Sequence, residues 1–150
     1  MDARGPRMAE VLHLTVSIAR TPADVYAFAS DPRNLPLWAE GLARSDVRQQ
    51  GDAWVVEGPA GRVTVRFAPP NDLGVMDHDV ELPSGVIVHN PMRVLPNGEG
   101  SELVFSLFRQ PGMSDEQFVA DRSAVEKDLD QLKSLLEENP ALPSRDAASG

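Results

Sequence analysis

The chain has 150 residues, of which 41% are hydrophobic, and a formal net charge of −9 with a pI near 4.7. This length supports one domain with its own core, and the acidic charge argues against a nucleic-acid partner. Cysteine is absent, which excludes a disulfide framework and a thiol nucleophile, and no apolar run reaches the ~18 residues of a membrane span. We therefore expect a cytoplasmic protein that is not inserted in a membrane.

The first part of the chain predicts one strand followed by two helical segments. Residues 1–10 are expected to form a flexible lead-in. Residues 12–18 alternate between apolar and polar side chains, which is typical of a strand with one buried face. Residues 21–24 read Thr-Pro-Ala-Asp, a helix start with a capping threonine, then a proline, then an acid in the first turn. A shorter helical turn is predicted over residues 34–40.

Strand-like segments separated by turn residues fill residues 42–110. Short runs rich in Gly, Pro, Ser and Asp, at residues 51–52, 58–61 and 83–85, have the length and composition of hairpin turns. Residues 86–95 are predicted to form a single strand. The region as a whole predicts six strands joined by hairpins, and such connections give an antiparallel sheet.

A long amphipathic helix is predicted from Ser114 to about Glu138. Ser114 can cap its first turn, and Gln117 completes a capping box three residues later. Apolar residues then recur on one face, namely Phe118, Val125, Leu129, Leu132 and Leu136. Pro140 prevents the helix from continuing, and residues 139–150 are expected to form a disordered tail. Because the apolar face must be buried, we expect this helix to pack on the strands.

The order of elements, together with two motifs, resembles the START-like helix-grip superfamily. The motifs are VSIARTPADVY at residues 16–26 and DPRNLPLW at residues 31–38. Within the superfamily, the chain is similar to the polyketide cyclase/dehydrase and lipid-transport (SRPBCC) family over residues 11–138, including uncharacterised bacterial members. The resemblance implies an α+β helix-grip fold: a strongly curved antiparallel sheet of about seven strands, in the order strand, two helices, six strands, helix, wrapped around the C-terminal helix. It also implies a deep apolar cavity between sheet and helix.

His78 is the candidate for catalytic chemistry. In residues 76–82, one alternation set contains His78 among apolar residues, whereas the other set contains only acids. His78 is therefore predicted to be the polar side chain on the inward face. A neutral imidazole there could orient a ligand oxygen or act as a general acid or base. The alternative, which is the more frequent case, is a core histidine satisfied by a backbone group or a water.

His89 and Arg122 are further candidates for ligand contact. Both alternation sets around His89 are partly apolar, so the sequence does not decide which way it faces. A metal site shared with His78 is disfavoured because no ligand spacing supports it, and no metal or cofactor is expected. Arg122 lies at the edge of the helix's apolar stripe, where it could hold an acidic or carbonyl group. An ion pair with Glu126, one turn later, is the favoured alternative.

Aromatic residues make up only 5% of the chain, so inward-facing rings would determine the shape of a pocket. Each ring is either ordinary core or cavity lining. The expected ligand-contacting residues are Trp38, Trp54, Phe67, His78, His89, Phe105, Phe118 and Arg122.

Three functions are consistent with these features. The leading hypothesis is a carrier or sensor that binds a hydrophobic or aromatic small molecule, lipid- or polyketide-like. The first alternative is an enzyme of the polyketide cyclase or dehydratase type, in which His78 moves a proton and Arg122 polarises an oxygen. The second is a protein-interaction module, co-chaperone or antitoxin-like. Val104 and Phe108, on the outer face of the last strand, could pack in a homodimer.

Overall fold

Two linked antiparallel sheets and a long C-terminal helix form the fold. The structure, a computed structural model, describes residues 6–58 and 61–143. In chain order the elements of these residues are β1 (Val11–Ile18), α1 (Pro22–Ala29), α2 (Leu35–Trp38), β2 (Asp46–Gln50), β3 (Ala53–Gly58), β4 (Gly61–Phe67), β5 (His78–Glu81), β6 (Ile87–Asn90), β7 (Met92–Asn97), β8 (Gly100–Phe108) and α3 (Asp115–Glu138). Turns of 3₁₀ helix at Pro32–Asn34 and Glu40–Leu42 flank α2.

The eight strands of the described residues lie in a first sheet, with the order β1-β8-β7, and a second sheet, with the order β2-β3-β4-β5-β6. The sheets are linked beside β7, where the Met76 N–H donates to the Met92 carbonyl at 2.8 Å and the Val94 N–H donates to the Gly74 carbonyl at 3.0 Å. They do not close into a barrel. The predicted α+β helix-grip class is confirmed, whereas the prediction of one sheet of about seven strands is corrected to eight strands in two sheets.

Pro91 accounts for the additional strand. Residues 86–95 were expected to form a single strand, but β6 ends at Asn90 and β7 begins at Met92. Proline has no N–H to donate to a strand ladder, so it interrupts pairing where it occurs. As a result, β6 pairs with β5 in the second sheet while β7 pairs with β8 in the first.

Local sequence signals for β1 and α3 are confirmed. Leu14 and Ile18 of β1 are buried on one face, and the residues between them that point the other way are exposed. The Ser114 Oγ accepts a hydrogen bond from the Gln117 N–H at 3.1 Å, and the Gln117 Oε1 accepts one from the Ser114 N–H at 2.8 Å. This is the predicted capping box. The buried residues of α3 are Phe118, Leu129, Leu132 and Leu136.

The core lies between the first sheet, α1 and α3, and it extends past α2 to Val56 and Val65 of the second sheet. Its fully buried members include Phe28 of α1, Met92 of β7, Leu103 of β8, and Leu132 and Leu136 of α3. All five belong to one continuous cluster. Burying a side chain of this size is worth ~1.5–3 kcal/mol, so the contact between α3 and the first sheet is a main source of stability.

Arg20 holds the C-terminal end of α3. Its guanidinium donates to the carbonyl oxygens of Leu136, at 2.5 Å, and of Leu142, and it forms an ion pair with Asp24 at 3.1 Å. The last turn of α3 has no basic residue of its own, so Arg20 supplies the positive charge that favours the negative end of the helix dipole. The cation reaches this helix end from the loop after β1.

These bonds involve the first residues of the predicted tail over residues 139–150. Residues 139–143 form an ordered turn in which the Leu142 N–H donates to the Asn139 carbonyl at 3.0 Å, and the Leu142 side chain packs against the core. Residues 144–150 lie outside the described residues, as do residues 1–5 of the predicted lead-in.

Arg109 has the corresponding role at the N-terminal end of α3. Its guanidinium donates to the Met113 carbonyl at 2.8 Å and forms an ion pair with Asp115 at 2.8 Å. It also lies 5.6 Å from the centre of the Phe118 ring, within cation–π range. The loop before α3 is therefore fixed to the end of β8.

Replacement of Arg20 tests how much the C-terminal end of α3 contributes to stability. We expect Arg20→Ala to lower the free energy of unfolding by about 2–3 kcal/mol, because charge-assisted bonds to partly buried carbonyls are lost. Arg62→Ala is the matched control: this exposed arginine pairs with Glu57 across the second sheet, and its loss is expected to cost about 0.5 kcal/mol. Urea unfolding followed by circular dichroism gives both values, and equal losses would contradict the role of Arg20.

Candidate functional site

The inward side of the second sheet carries apolar residues that the rest of the protein only partly covers. Trp54, Val65, Val80 and Val88 are successive cross-strand partners on β3 to β6, and Val63 and Phe67 share their face. Val65 is buried, but the others are half-buried. We call these half-buried residues the concave apolar face; they are Trp54, Val63, Phe67, Val80 and Val88.

The position of α3 explains why this face is incompletely covered. The backbone of α3 lies nearest to β1, to α2 and to the 3₁₀ turn Glu40–Leu42. The buried side chains in its C-terminal half pack into the core with the first sheet. In its N-terminal half only Phe118 is buried. The main backbone contacts of α3 are therefore made outside β3 to β6, where the half-buried apolar side chains remain.

His78 lies on the inward side where the two sheets meet. It is the first residue of β5 and is 7% exposed, so its predicted inward facing is confirmed. Its ring stacks on Phe67 of β4, with ring centres 4.7 Å apart, and meets Phe105 of β8 edge-on at 6.3 Å. One aromatic neighbour thus comes from each sheet.

The hydrogen bond of His78 defines the chemistry of its ring. The Nδ1 lies 2.9 Å from the Met76 carbonyl oxygen, which can only accept, so Nδ1 carries the proton. Burial lowers the pKa of His78, against smaller raising effects from this hydrogen bond and from Asp77 and Asp79. The ring is therefore neutral at neutral pH. Its Nε2 is then an acceptor, and no residue in the described part of the chain donates to it.

The predicted aromatic residues divide into two groups. Trp38, Phe105 and Phe118 are buried in the continuous core, whereas Trp54 and Phe67 belong to the concave apolar face. The Trp38 Nε1–H is buried and has no hydrogen-bond partner among the residues the structure describes. A buried donor left unpaired costs ~1–3 kcal/mol, and the described part of the chain leaves this indole N–H unsatisfied.

Two other predicted residues lie away from His78. His89 points out of the second sheet beside its cross-strand partner Asp79, with Nδ1 2.5 Å from the carboxylate Oδ1. Because His78 points inward, the two histidines cannot bind one metal ion. Arg122 is half-exposed and pairs with Glu126 at 3.4 Å, which is the alternative the sequence favoured. Within residues 6–58 and 61–143, no cluster of three or more metal-ligating side chains occurs.

Two open clefts lie along α3. One, of about 420 Å³, is at its N-terminal end and is lined by Gln110, Pro111, Gly112, Met113, Gln117, Ala120 and Asp121. The other, of about 380 Å³, lies between α3 and β1 and is lined by His13, Leu14, Thr15, Arg122, Glu126, Leu129 and Asp130. Neither contains His78 or a residue of the concave apolar face. The deep cavity that the resemblance implies is thus not one of these two clefts.

Asp128 is a half-buried acid that the sequence did not reveal. It belongs to an acidic face of α3 that reads as solvated, yet its Oδ1 accepts a hydrogen bond from the Glu40 N–H at 3.1 Å. Burial raises the pKa of Asp128 to about 6. Its position beside Leu129, a residue of the apolar stripe, was the only sign in the sequence that it is partly buried. Its partner, Glu40, is distant in sequence and could not be inferred.

Solved structures of low sequence identity share this architecture, which shows the fold alone. DynU16, a protein in the dynemicin biosynthetic locus, aligns with a TM-score of 0.66 and 14% identity over 85% of this chain and 47% of its own, so the chain spans about half the length of DynU16. Ara h 8.0201 aligns with a TM-score of 0.64 and 14% identity, over 87% and 99%. CV1439 from Chromobacterium violaceum aligns with a TM-score of 0.66 and 18% identity, over 85% and 96%.

These likenesses and the geometry define a START-like protein. The family model described as polyketide cyclase / dehydrase and lipid transport matches residues 10–137, and the chain belongs to this family. No curated protein matches its sequence. Among residues 6–58 and 61–143, no helix has both the length and the apolar character that crossing a membrane requires.

The lowered pKa of His78 gives a pH dependence with a definite sign. Because the folded state binds this proton less well than the unfolded state, whose value is near 6.5, stability should fall as the pH drops below that value. We expect an NMR titration midpoint below 6.5 for His78. We also expect the loss of stability between about pH 7 and pH 5 to be smaller in His78→Phe. A midpoint above the unfolded value would contradict the burial of this ring.

The pH dependence of stability that Asp128 causes has the opposite sign. Its pKa is raised from 3.8 to about 6, so the ionised carboxylate destabilises the fold as the pH rises through this interval. Asp128→Asn keeps an oxygen for the Glu40 N–H, and we expect it to raise the free energy of unfolding by about 1 kcal/mol near pH 7.5, after allowance for partial exposure. The gain should vanish below about pH 3, where both states are protonated.

Asp130→Asn is the control for this measurement, since Asp130 is exposed on the same helix. Denaturant unfolding at both pH values should show a change within about 0.5 kcal/mol for the control. An equal gain in both variants would mean that the net charge of the protein, rather than the burial of Asp128, is responsible.

Proposed function

We propose that the protein binds an apolar or aromatic small molecule on the concave apolar face, beneath the N-terminal half of α3. The observation that carries this proposal is the half-buried state of five apolar side chains that point into the protein. Inward-facing apolar residues are normally covered by their own fold, and a ligand that covers them gains ~25 cal/mol per Å² before the costs of ordering. Membership of a family associated with hydrophobic ligands supports the same conclusion.

His78 supplies the polar contact in this proposal. Small-molecule sites are mostly apolar, with a few polar groups that fix the orientation of the ligand. The neutral ring offers Nε2 as an acceptor, so a ligand with a hydroxyl or N–H group would bind in one orientation. The proposed role is that of a carrier or sensor, and the absence of cysteine is compatible with the cytoplasm.

Catalysis of the cyclase or dehydratase type is the second candidate function. It is favoured by the fixed protonation of His78, since a neutral imidazole with a free Nε2 can accept a proton from a ligand. Arg122, which the sequence analysis expected to polarise a substrate oxygen, forms an ion pair with Glu126. In the absence of that arginine, the oxygen of a substrate would need another donor.

An interaction module has less support from the outer surface of the second sheet. Ion pairs cross this surface, including Arg48 and Arg62 with Glu57, and Arg66 with Glu81. On the first sheet Phe108 is 37% exposed and Val104 is partly buried. These residues alone do not form the large apolar patch that a stable dimer needs.

Blocking the concave apolar face tests the binding proposal. N-phenyl-1-naphthylamine, a neutral apolar probe, should bind saturably with a rise in fluorescence. Val88→Trp places a large ring on the face and is expected to weaken binding at least ~10-fold, or ~1.4 kcal/mol. Ile87→Trp adds the same ring one residue away, on the opposite side of β6, and should bind normally. Absence of saturable binding, or equal effects of the two variants, would contradict the proposal.

The catalytic alternative is tested with benzoylacetone, a diketone whose central carbon carries acidic protons. An enzyme that uses His78 as a base should accelerate deuterium exchange at this carbon, and His78→Gln should lower that acceleration at least ~10-fold. NMR in D₂O measures the rate, and circular dichroism confirms that the variant is folded. Equal rates with and without the protein would leave binding as the function and exclude proton abstraction from this substrate class.

A further inference from the structure

The hydrogen-bond pattern of β1 shows which of its backbone groups are unpaired. In an antiparallel ladder, alternate residues bond to the neighbouring strand and the others point away from it. The Arg109 N–H donates to the Glu10 carbonyl at 2.9 Å, so the even-numbered residues of β1 bond to β8. The backbone N–H and C=O groups of Val11, His13, Thr15 and Ser17 therefore point to the free edge.

One end of this edge is occupied by α3. The Lys133 Nζ donates to the Ser17 carbonyl at 2.5 Å, and the Ala19 N–H donates to the Glu137 carboxylate at 2.8 Å. Both bonds involve odd-numbered residues, which agrees with the assigned pattern. At the other end, within the described residues, no group bonds to the edge-facing backbone of Val11, His13 or Thr15.

A cleft lies beside the unpaired part of the edge. His13 and Thr15 are on its β1 side, and Arg122, Glu126 and Asp130 of α3 are on its other side. The unpaired part of the edge, from Val11 to Thr15, is five residues long and spans ~17 Å in extended conformation, so it can pair with a peptide of about five residues. The edge and the cleft together provide a backbone template and side-chain contacts, the two requirements for strand addition.

We propose that β1 accepts an extended peptide from a protein partner as an added strand, and that this peptide is basic. The charges that line the cleft favour a basic peptide. Arg122 is neutralised by Glu126, so the carboxylate of Asp130 leaves the cleft negative. A second copy of the chain would bring another net charge of −9 to the same place, which disfavours self-association and favours a cationic segment. This surface is separate from the concave apolar face and does not depend on ligand binding.

Amide hydrogen exchange of the full chain with the peptide Ac-Lys-Val-Lys-Val-Lys-NH₂ tests the proposal. We expect the peptide to slow exchange at His13 and Thr15 at least ~10-fold, with little change at Leu12 and Leu14, whose amides already bond to β8. The same peptide with alternate backbone nitrogens methylated should give no protection. Ac-Glu-Val-Glu-Val-Glu-NH₂ should bind more weakly at low salt.

Two variants distinguish the contribution of the His13 backbone N–H to peptide binding from that of its side chain. His13→Pro removes an N–H that points to the free edge and donates no bond to β8, and it should weaken peptide binding at least ~10-fold. His13→Ala removes the imidazole but keeps the N–H, and it should bind the peptide normally. If the proline variant does not fold, the comparison with the methylated peptide still decides.

Three results would overturn the proposal. They are equal protection by the methylated peptide, equal loss of binding in His13→Ala, and protection of His13 and Thr15 without peptide in a sample that sediments as a dimer. The last would assign the edge to a second copy of the chain. Failure of the apolar probe to bind leaves this test unaffected, because it concerns a different surface.

Discussion

The bonds between α3 and the strand-to-helix connection after β1 determine how the rest of the protein is arranged. Arg20 donates to the carbonyl groups that end α3, while Lys133 and Glu137 bond to the backbone of Ser17 and Ala19. These contacts fix the C-terminal half of the helix against the first sheet, where Leu132 and Leu136 are completely buried. The N-terminal half is held mainly by Arg109 and Phe118. Tight packing is thus concentrated at one end of the helix.

This unequal packing places the candidate site. The first sheet is covered by α3, whereas the second sheet retains half-buried apolar side chains on its inward side. His78 lies at the junction, in contact with an aromatic ring from each sheet. In this protein, the position of α3 therefore separates the structural core from the proposed ligand surface.

Local patterns predicted more of the fold than of the site. Alternation in β1, the capping box at Ser114 and the apolar stripe of α3 are properties of neighbouring residues, and the structure contains each of them. The prediction of one strand over residues 86–95 was wrong because it followed the β-branched residues and neglected Pro91. The missing N–H of Pro91 divides the segment into two strands, one in each sheet. The inward facing of His78 could be predicted because its strand has one purely acidic side.

The unpredicted features depend on contacts between distant residues. His89 could not be assigned a face until its pairing with Asp79 was known. Asp128 reads as a surface acid until the turn at Glu40 is placed against it. Arg20 gave no sign that it serves the end of a helix more than a hundred residues later. Each of these depends on tertiary placement, which single-sequence periodicity does not contain.

The charge of α3 has a consequence for how other molecules meet this protein. Its sequence includes eight acidic and three basic residues, so the helix carries −5 of the net charge of −9. On the second sheet, by contrast, arginine and glutamate side chains lie side by side and largely neutralise one another. More than half of the net negative charge of the protein is therefore concentrated on α3. In solutions of low ionic strength, cationic molecules will collide preferentially with the helix side. Added salt will weaken this preference, because at 0.1 M it screens charges that are farther apart than a Debye length of ~10 Å.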